Sequence, residues 1–130
     1  MASSDQPYKK VRRIMIEATC HCGSIILAAT IAPTEVTECT CSICRRYGVL
    51  WAYYALSEVT ISGGLTDQYL WDDRSIRFHR CKNCGCVTHW WPEDPSTDRM
   101  GINARLMDLD TLRSARVRHL DGAVSERYAD

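Results

Sequence analysis

The chain has 130 residues, one domain's worth of sequence, with 45% apolar and 25% charged side chains. That composition excludes wholesale disorder. Lysine plus arginine and aspartate plus glutamate each number 16, so the formal net charge is zero, which argues against a nucleic-acid binder working by counterion release. The longest apolar stretch, 25–32, is broken by Thr30 and falls far short of the roughly 20 residues of a membrane-spanning helix.

In chain order, residues 1–11 are polar, contain Pro7 and precede any periodic pattern, which predicts a flexible amino-terminal arm ahead of a folded domain over 12–130. Ile14, Ile16 and Ala18 alternate, which predicts a half-buried strand over 11–19. Cys20-His21-Cys22-Gly23 follows as a turn, and the β-branched, apolar stretch 24–31 reads as the partner strand, broken at Pro33. Residues 37–48 hold a second cysteine group and predict a short helix over 42–47. Strands are expected over 49–56 and 58–62, the second closed by Gly63-Gly64, then over 67–71 and 75–80 around a hairpin turn at Asp72-Asp73-Arg74. The third cysteine group spans 81–86. A strand over 87–91 stops at Pro92, a polar loop runs to 98, alternation returns over 99–106, a helical turn covers 108–113, and a last strand covers 117–120. Eight or nine short strands with little helix predict a mainly β single domain with metal knuckles at its turns.

The 8 cysteines are too few for a dense disulfide scaffold. The start of the chain shows neither the apolar core nor the small-residue cleavage site of a signal peptide. The expectation is a cytoplasmic protein with reduced thiols, in which clustered cysteines point to metal or redox chemistry. They form three groups: Cys20-x-Cys22, Cys39-x-Cys41-x-x-Cys44 and Cys81-x-x-Cys84-x-Cys86. Each short spacing aims two sulfurs at one point, half of a tetrahedral zinc site. A structural zinc contributes roughly 10–16 kcal/mol of apparent binding energy, enough to dominate the stability of a domain this small. Spacing does not fix which halves combine. One arrangement closes a site from Cys20, Cys22, Cys81 and Cys84 and leaves Cys39, Cys41 and Cys44 with an open fourth position, the pattern of a catalytic zinc. The rival seals the second site with Cys86, whose spacing from Cys84 puts both sulfurs on one strand face.

Other residues carry weaker signals. Arg45 and Arg46 adjoin the middle group, and a guanidinium fork suits carboxylates, although two solvated charges after a turn would look the same. Trp51, Tyr53 and Tyr54 read as packing residues in preference to a cleft lining. His21 alternates away from its flanking cysteines, and His89 and His119 read as packed or surface histidines in preference to proton carriers. No paired carboxylates, phosphate loop or serine-centred nucleophile motif is present.

Cys20-His21-Cys22-Gly23-Ser24, then Cys39-Thr40-Cys41-Ser42-Ile43-Cys44-Arg45-Arg46, then Arg77-Phe78-His79-Arg80-Cys81-Lys82-Asn83-Cys84-Gly85 resemble the glutathione-dependent formaldehyde-activating enzyme family, which includes centromere protein V. Weaker agreement continues through Gly101-Ile102-Asn103 and Leu109-Asp110 to Val117-Arg118-His119. The resemblance implies a β-tent fold of antiparallel sheets pinned by zinc. It implies a structural zinc on Cys20, Cys22, Cys81 and Cys84 and a catalytic one on Cys39, Cys41 and Cys44. It further implies a carbon–sulfur lyase that joins formaldehyde to glutathione, a small-molecule thiol whose carboxylates Arg45 and Arg46 would meet. Cys86 and His79 depart from the family pattern. The rival readings are a non-enzymatic zinc module that binds a macromolecule and a redox or metal-buffering protein.

Overall fold

The computed structural model describes residues 15–130, so the expected arm over 1–11 lies outside the described residues. Eleven strands and two short helices follow in order: β1 (Ile16–Thr19), β2 (Ile25–Ala29), β3 (Glu35–Cys39), α1 (Ser42–Tyr47), β4 (Trp51–Tyr54), β5 (Val59–Gly63), β6 (Thr66–Leu70), β7 (Ile76–Cys81), β8 (Val87–Pro92), β9 (Met100–Asn103), α2 (Leu109–Ser114), β10 (Arg116–Asp121) and β11 (Arg127–Tyr128). A three-stranded sheet has the order β1-β2-β5, and an eight-stranded sheet has the order β11-β10-β3-β4-β9-β8-β7-β6. Every described pairing within the sheets is antiparallel except β3 with β10. The domain is mainly β, as the sequence predicts. Among the described residues no helix is long and apolar enough to cross a membrane.

Strand alternation sorts side chains into two cores. Ile25, Leu27 and Ala29 on β2, with Ala52, Met100 and Ile102 from the large sheet, are fully buried between the sheets. The intervening residues of β4, Trp51 and Tyr53, turn to the other face of the large sheet. There Trp51, Phe78 and Val49 pack with Ile43 and Tyr47 of α1. The large sheet is thus covered on both sides, and each cysteine cluster belongs to a different side.

The turns follow from local chemistry. Gly63 sits at φ 110, and a Cβ there would collide with the Ser24 carbonyl oxygen, so the end of β5, before the chain crosses to β6 in the other sheet, needs a glycine. The Asp73 carboxylate accepts the Ser75 N–H at 3.0 Å and holds the β6–β7 turn. The structure corrects several expected boundaries. The strand expected over 49–56 stops at Tyr54 because the Glu58 carboxylate accepts the Ala55 N–H at 2.7 Å and starts the 3-10 turn Leu56–Glu58. The strand expected over 99–106 stops at Asn103, whose side chain accepts the Arg105 N–H at 3.2 Å and opens the 3-10 turn Ala104–Leu106. Two strands go beyond the sequence reading, β3 and β11, and both attach to β10.

Candidate metal centres

The first centre forms where two knuckles meet across sequence. Cys20 opens the turn after β1, where the Gly23 N–H donates to the Cys20 carbonyl at 3.0 Å. Cys81 ends β7, where the Gly85 N–H donates to the Cys81 carbonyl at 2.9 Å. The sulfurs of Cys20, Cys22, Cys81 and Cys84 lie within 4.8 Å of one another, with Cys20–Cys22 at 3.6 Å and Cys22–Cys81 at 3.7 Å. A tetrahedron of thiolates about 2.3 Å from zinc has edges of about 3.8 Å, so the donor set fits that ion. The Ser24 hydroxyl lies 3.2 Å from both Cys22 and Cys81 sulfurs. Hydrogen bonding with Ser24 and Asn83 pulls the Cys22 thiol down to about 5. The Cys84 N–H and Ser24 likewise lower Cys81, whereas burial raises Cys20. Cys22 is therefore poised as a thiolate, the form that binds metal, and Cys81 is shifted towards it.

The second centre lies on the opposite face of the large sheet. β3 delivers Cys39 and the first turn of α1 delivers Cys41 and Cys44, and their sulfurs also lie within 4.8 Å of one another. Cys41 is the helix N-cap, and its sulfur accepts the Cys44 N–H at 3.4 Å. Gly48, at φ 68, ends the helix by donating to the Cys44 carbonyl at 3.0 Å. The buried Trp51 indole N–H donates to the Cys44 sulfur at 3.3 Å. Burial pushes Cys39 and Cys44 up, the latter far, with the Trp51 N–H opposing it. At Cys41 burial pushes the same way but is outweighed by the Cys44 N–H together with hydrogen bonds from the Cys44 and Cys39 thiols and the Ile43 N–H, and the thiol is lowered. The three sulfurs leave one tetrahedral corner without a cysteine. A cavity of about 200 Å³ opens beside them, lined by Cys39, Thr40, Cys44, Arg45, Gly48 and Arg105.

Gly122 completes this centre, and the sequence reading missed it. It follows β10, and a Cβ there would lie 2.5 Å from the Cys39 sulfur and 3.0 Å from the Cys41 Cβ. A glycine after a strand is an ordinary turn signal, so nothing local marks it. Trp51, read as a packing residue, is also a hydrogen-bond donor to the cluster.

Cys86 belongs to neither group of sulfurs. Its carbonyl, not its thiol, serves the first centre by accepting the Cys81 N–H at 2.9 Å. The two arginines diverge: Arg45 lines the cavity beside the three cysteines, while the Arg46 guanidinium folds back to donate to the Ser42 carbonyl at 2.8 Å. His21 is exposed, and His119 pairs with Glu38 at 2.8 Å on the surface. His89 is buried on the first centre's side of the sheet, its ring stacked on His79 at 4.3 Å. Burial and then His79 push His89 down to about 3, so it is neutral. The Thr88 hydroxyl donates to the His79 carbonyl at 3.3 Å and lies 2.8 Å from His89 Nδ1. Its single proton is thus committed, and His89 Nδ1–H donates to the Thr88 oxygen.

No curated protein matches the chain at a significant level. A crystal structure of a Rhodobacter sphaeroides protein, solved as a structural genomics target, matches with a TM-score of 0.65. The two chains are 24% identical, and the match covers 78% of this chain and 99% of the other, a likeness of fold. The sequence model of the glutathione-dependent formaldehyde-activating enzyme matches residues 15–119. That span takes in both cysteine clusters and every strand from β1 into β10, and the chain belongs to the glutathione-dependent formaldehyde-activating enzyme family.

Proposed function

We propose that the chain is a zinc-dependent carbon–sulfur lyase that adds a thiol such as glutathione to formaldehyde and reverses that addition. In this reading Cys20, Cys22, Cys81 and Cys84 hold a structural zinc, and Cys39, Cys41 and Cys44 hold a catalytic one. The observation that carries it is the inequality of the two clusters: four sulfurs close one centre, and three with an adjoining cavity leave the other open. When bound at the open centre, zinc supplies a Lewis acid with a place for an incoming thiol. The sulfur lone pair attacks the carbonyl carbon, the C=O π pair moves to oxygen, and the thiol proton ends on that oxygen. The chain holds the partners in reach of one another. Arg45 at the cavity wall favours the thiolate, and Trp51 and Phe78 exclude water from beneath the cluster. The eight cysteines are all free thiols, in keeping with a proposed place in a reducing cytoplasm.

The test is the exchange rate between free formaldehyde and its glutathione adduct, followed by NMR. The wild type should speed exchange above the uncatalysed rate. Cys41→Ser should remain folded, retain one zinc and lose the acceleration. Equal rates for the two proteins, or no acceleration by the wild type, would refute the lyase and favour a zinc-bound interaction module.

A further inference from the structure

A cavity of about 510 Å³ opens on the β10 flank of the large sheet, lined by residues including Glu35, Tyr53, Glu58, Arg99, Arg118 and Tyr128. Its charges are paired in an unusual way. The Arg99 guanidinium rests 4.1 Å from the centre of the Tyr53 ring and makes no ion pair with any described residue. Arg118 lies 3.8 Å from the centre of the Tyr128 ring. Its Nη1 is 3.5 Å from Glu35, and its Nε is buried with the Asp130 carboxylate at 4.0 Å, an ion pair too long to be a hydrogen bond. Glu58 gives one carboxylate oxygen to the Ala55 N–H and keeps the other. A buried donor without an acceptor carries a desolvation cost until an oxygen reaches it. A simple anion would meet the arginines but also two glutamates. A simple amine would meet the glutamates but also two arginines. A group bearing a carboxylate and an ammonium on one carbon satisfies both sets.

The register connects this cavity to the three-cysteine centre. Arg118 pairs with Thr37 and Leu120 with Cys39 across β10 and β3, and Thr37 pairs with Trp51 on β4. Thr37 and Cys39 therefore share a sheet face, about 7 Å apart at roughly 3.3 Å per residue. Tyr53 stands between, packed with the second cluster's core while stacked under Arg99. Burial holds its hydroxyl protonated. Two extended residues, each spanning about 3.3–3.6 Å, bridge that gap.

We propose that this cavity is the subsite for the zwitterionic α-amino-acid end of the substrate thiol, with Arg99 and Arg118 taking its carboxylate and Glu58 its ammonium. The proposal rests on reading the three-cysteine centre as the place of the thiol. The γ-glutamyl end of glutathione has this chemistry, so the probes are S-methylglutathione, whose sulfur cannot react, and its N-acetyl derivative, whose ammonium is lost.

Calorimetry on the full chain should show S-methylglutathione binding, weakened at least tenfold by Arg99→Gln and by Glu58→Gln. The N-acetyl probe should bind the wild type at least tenfold more weakly and should be indifferent to Glu58→Gln. Circular dichroism checks the fold of each variant, and the Glu58→Gln amide retains the acceptor for Ala55. Unchanged affinity in both variants, or equal binding of the two probes, overturns the subsite. Failure of the lyase reads differently: binding and its variant effects persist while the wild type gives no acceleration of formaldehyde exchange. A catalytically active wild type whose KM for glutathione is untouched by Arg99→Gln and Glu58→Gln removes the subsite and leaves the lyase standing.

Discussion

Gly122→Ala tests the geometry of the open centre with a single methyl group. The added Cβ would lie 2.5 Å from the Cys39 sulfur, 3.0 Å from the Cys41 Cβ and 3.2 Å from the Cys41 nitrogen. Ordinary contact is at roughly 3.5–4.0 Å, so something must move by about 1 Å. The backbone at Gly122 cannot easily retreat. The Thr40 N–H donates to the Leu120 carbonyl at 3.1 Å, and the Ala123 N–H donates to the Thr40 hydroxyl at 3.3 Å, pinning the loop on both sides of the glycine. Cys41 is held by its role as helix cap. The Cys39 sulfur is the atom left to yield. Metal–ligand distances tolerate about 0.2 Å, so a 1 Å displacement removes Cys39 from any common coordination sphere with Cys41 and Cys44.

The expected outcome is a folded variant with one zinc in place of two, and with about 1–3 kcal/mol less stability from overpacking. Metal content by mass spectrometry and cobalt titration, read through thiolate absorbance, measures the first. Urea unfolding measures the second. Gly64→Ala is the control: its Cβ would meet Ser24 atoms at 3.5 Å, an ordinary contact, without positive φ, so both metals should remain. Two zinc ions held by Gly122→Ala with wild-type affinity would refute the placement of Gly122 against the cluster.

Trp51→Phe removes the N–H that donates to Cys44 and that opposes the burial of its thiol. A hydrogen bond to a charged group is worth about 1.5–3 kcal/mol, so the pH midpoint for cobalt uptake at the three-cysteine centre should rise by about 1–2 units, with the four-cysteine midpoint unchanged; parallel midpoints at both centres would contradict this. His89 stays neutral when folded, with a pKa pushed down to about 3 from 6.5. Its depressed value means that its contribution to stability is full above pH 6.5 and is lost as pH falls towards 3, a loss of about 2.5 kcal/mol between pH 7 and 4.5. His89→Phe should flatten that part of the stability curve by this amount in urea unfolding, and an unaltered slope would show that His89 is not held neutral.

Parts of this molecule that depend on neighbours in sequence are visible in the sequence itself. The helix over 42–47 is found at Ser42–Tyr47, because its cap and its terminator, Cys41 and Gly48, flank it. β2 shows its buried alternation in Ile25, Leu27 and Ala29. The strands expected over 49–56 and 99–106 end early for a reason periodicity does not report: Glu58 and Asn103 side chains capture backbone N–H groups and bend the chain into 3-10 turns. The pairing of Cys20 and Cys22 with Cys81 and Cys84 is one of the alternatives spacing leaves open, since a Cys-x-x-Cys turn specifies two sulfurs and says nothing of the other two.

β3 explains why the rest of the site is hidden. The segment Glu35-Val36-Thr37-Glu38-Cys39 is short and carries two acids, which weakens any strand signal. It becomes a strand because β10 lies parallel beside it, with Val36 opposite Val117 and Thr37 opposite Arg118. That one long-range pairing brings three features to the cluster that sequence places some 80 residues away: Gly122 against the Cys39 sulfur, Leu120 opposite Cys39, and Arg118 in the neighbouring cavity. Arg45 and Arg46 draw the eye because they adjoin the cysteines in the chain. Helix geometry then separates them, since successive side chains point about 100° apart, and only Arg45 lines the cavity beside the cluster while Arg46 turns back to its own helix. Adjacency along the chain therefore identifies the candidate metal ligands, whose turn geometry is local. The groups that would recognise a substrate are assembled across strands, and in this fold the crossover that sets β10 beside β3 does the assembling.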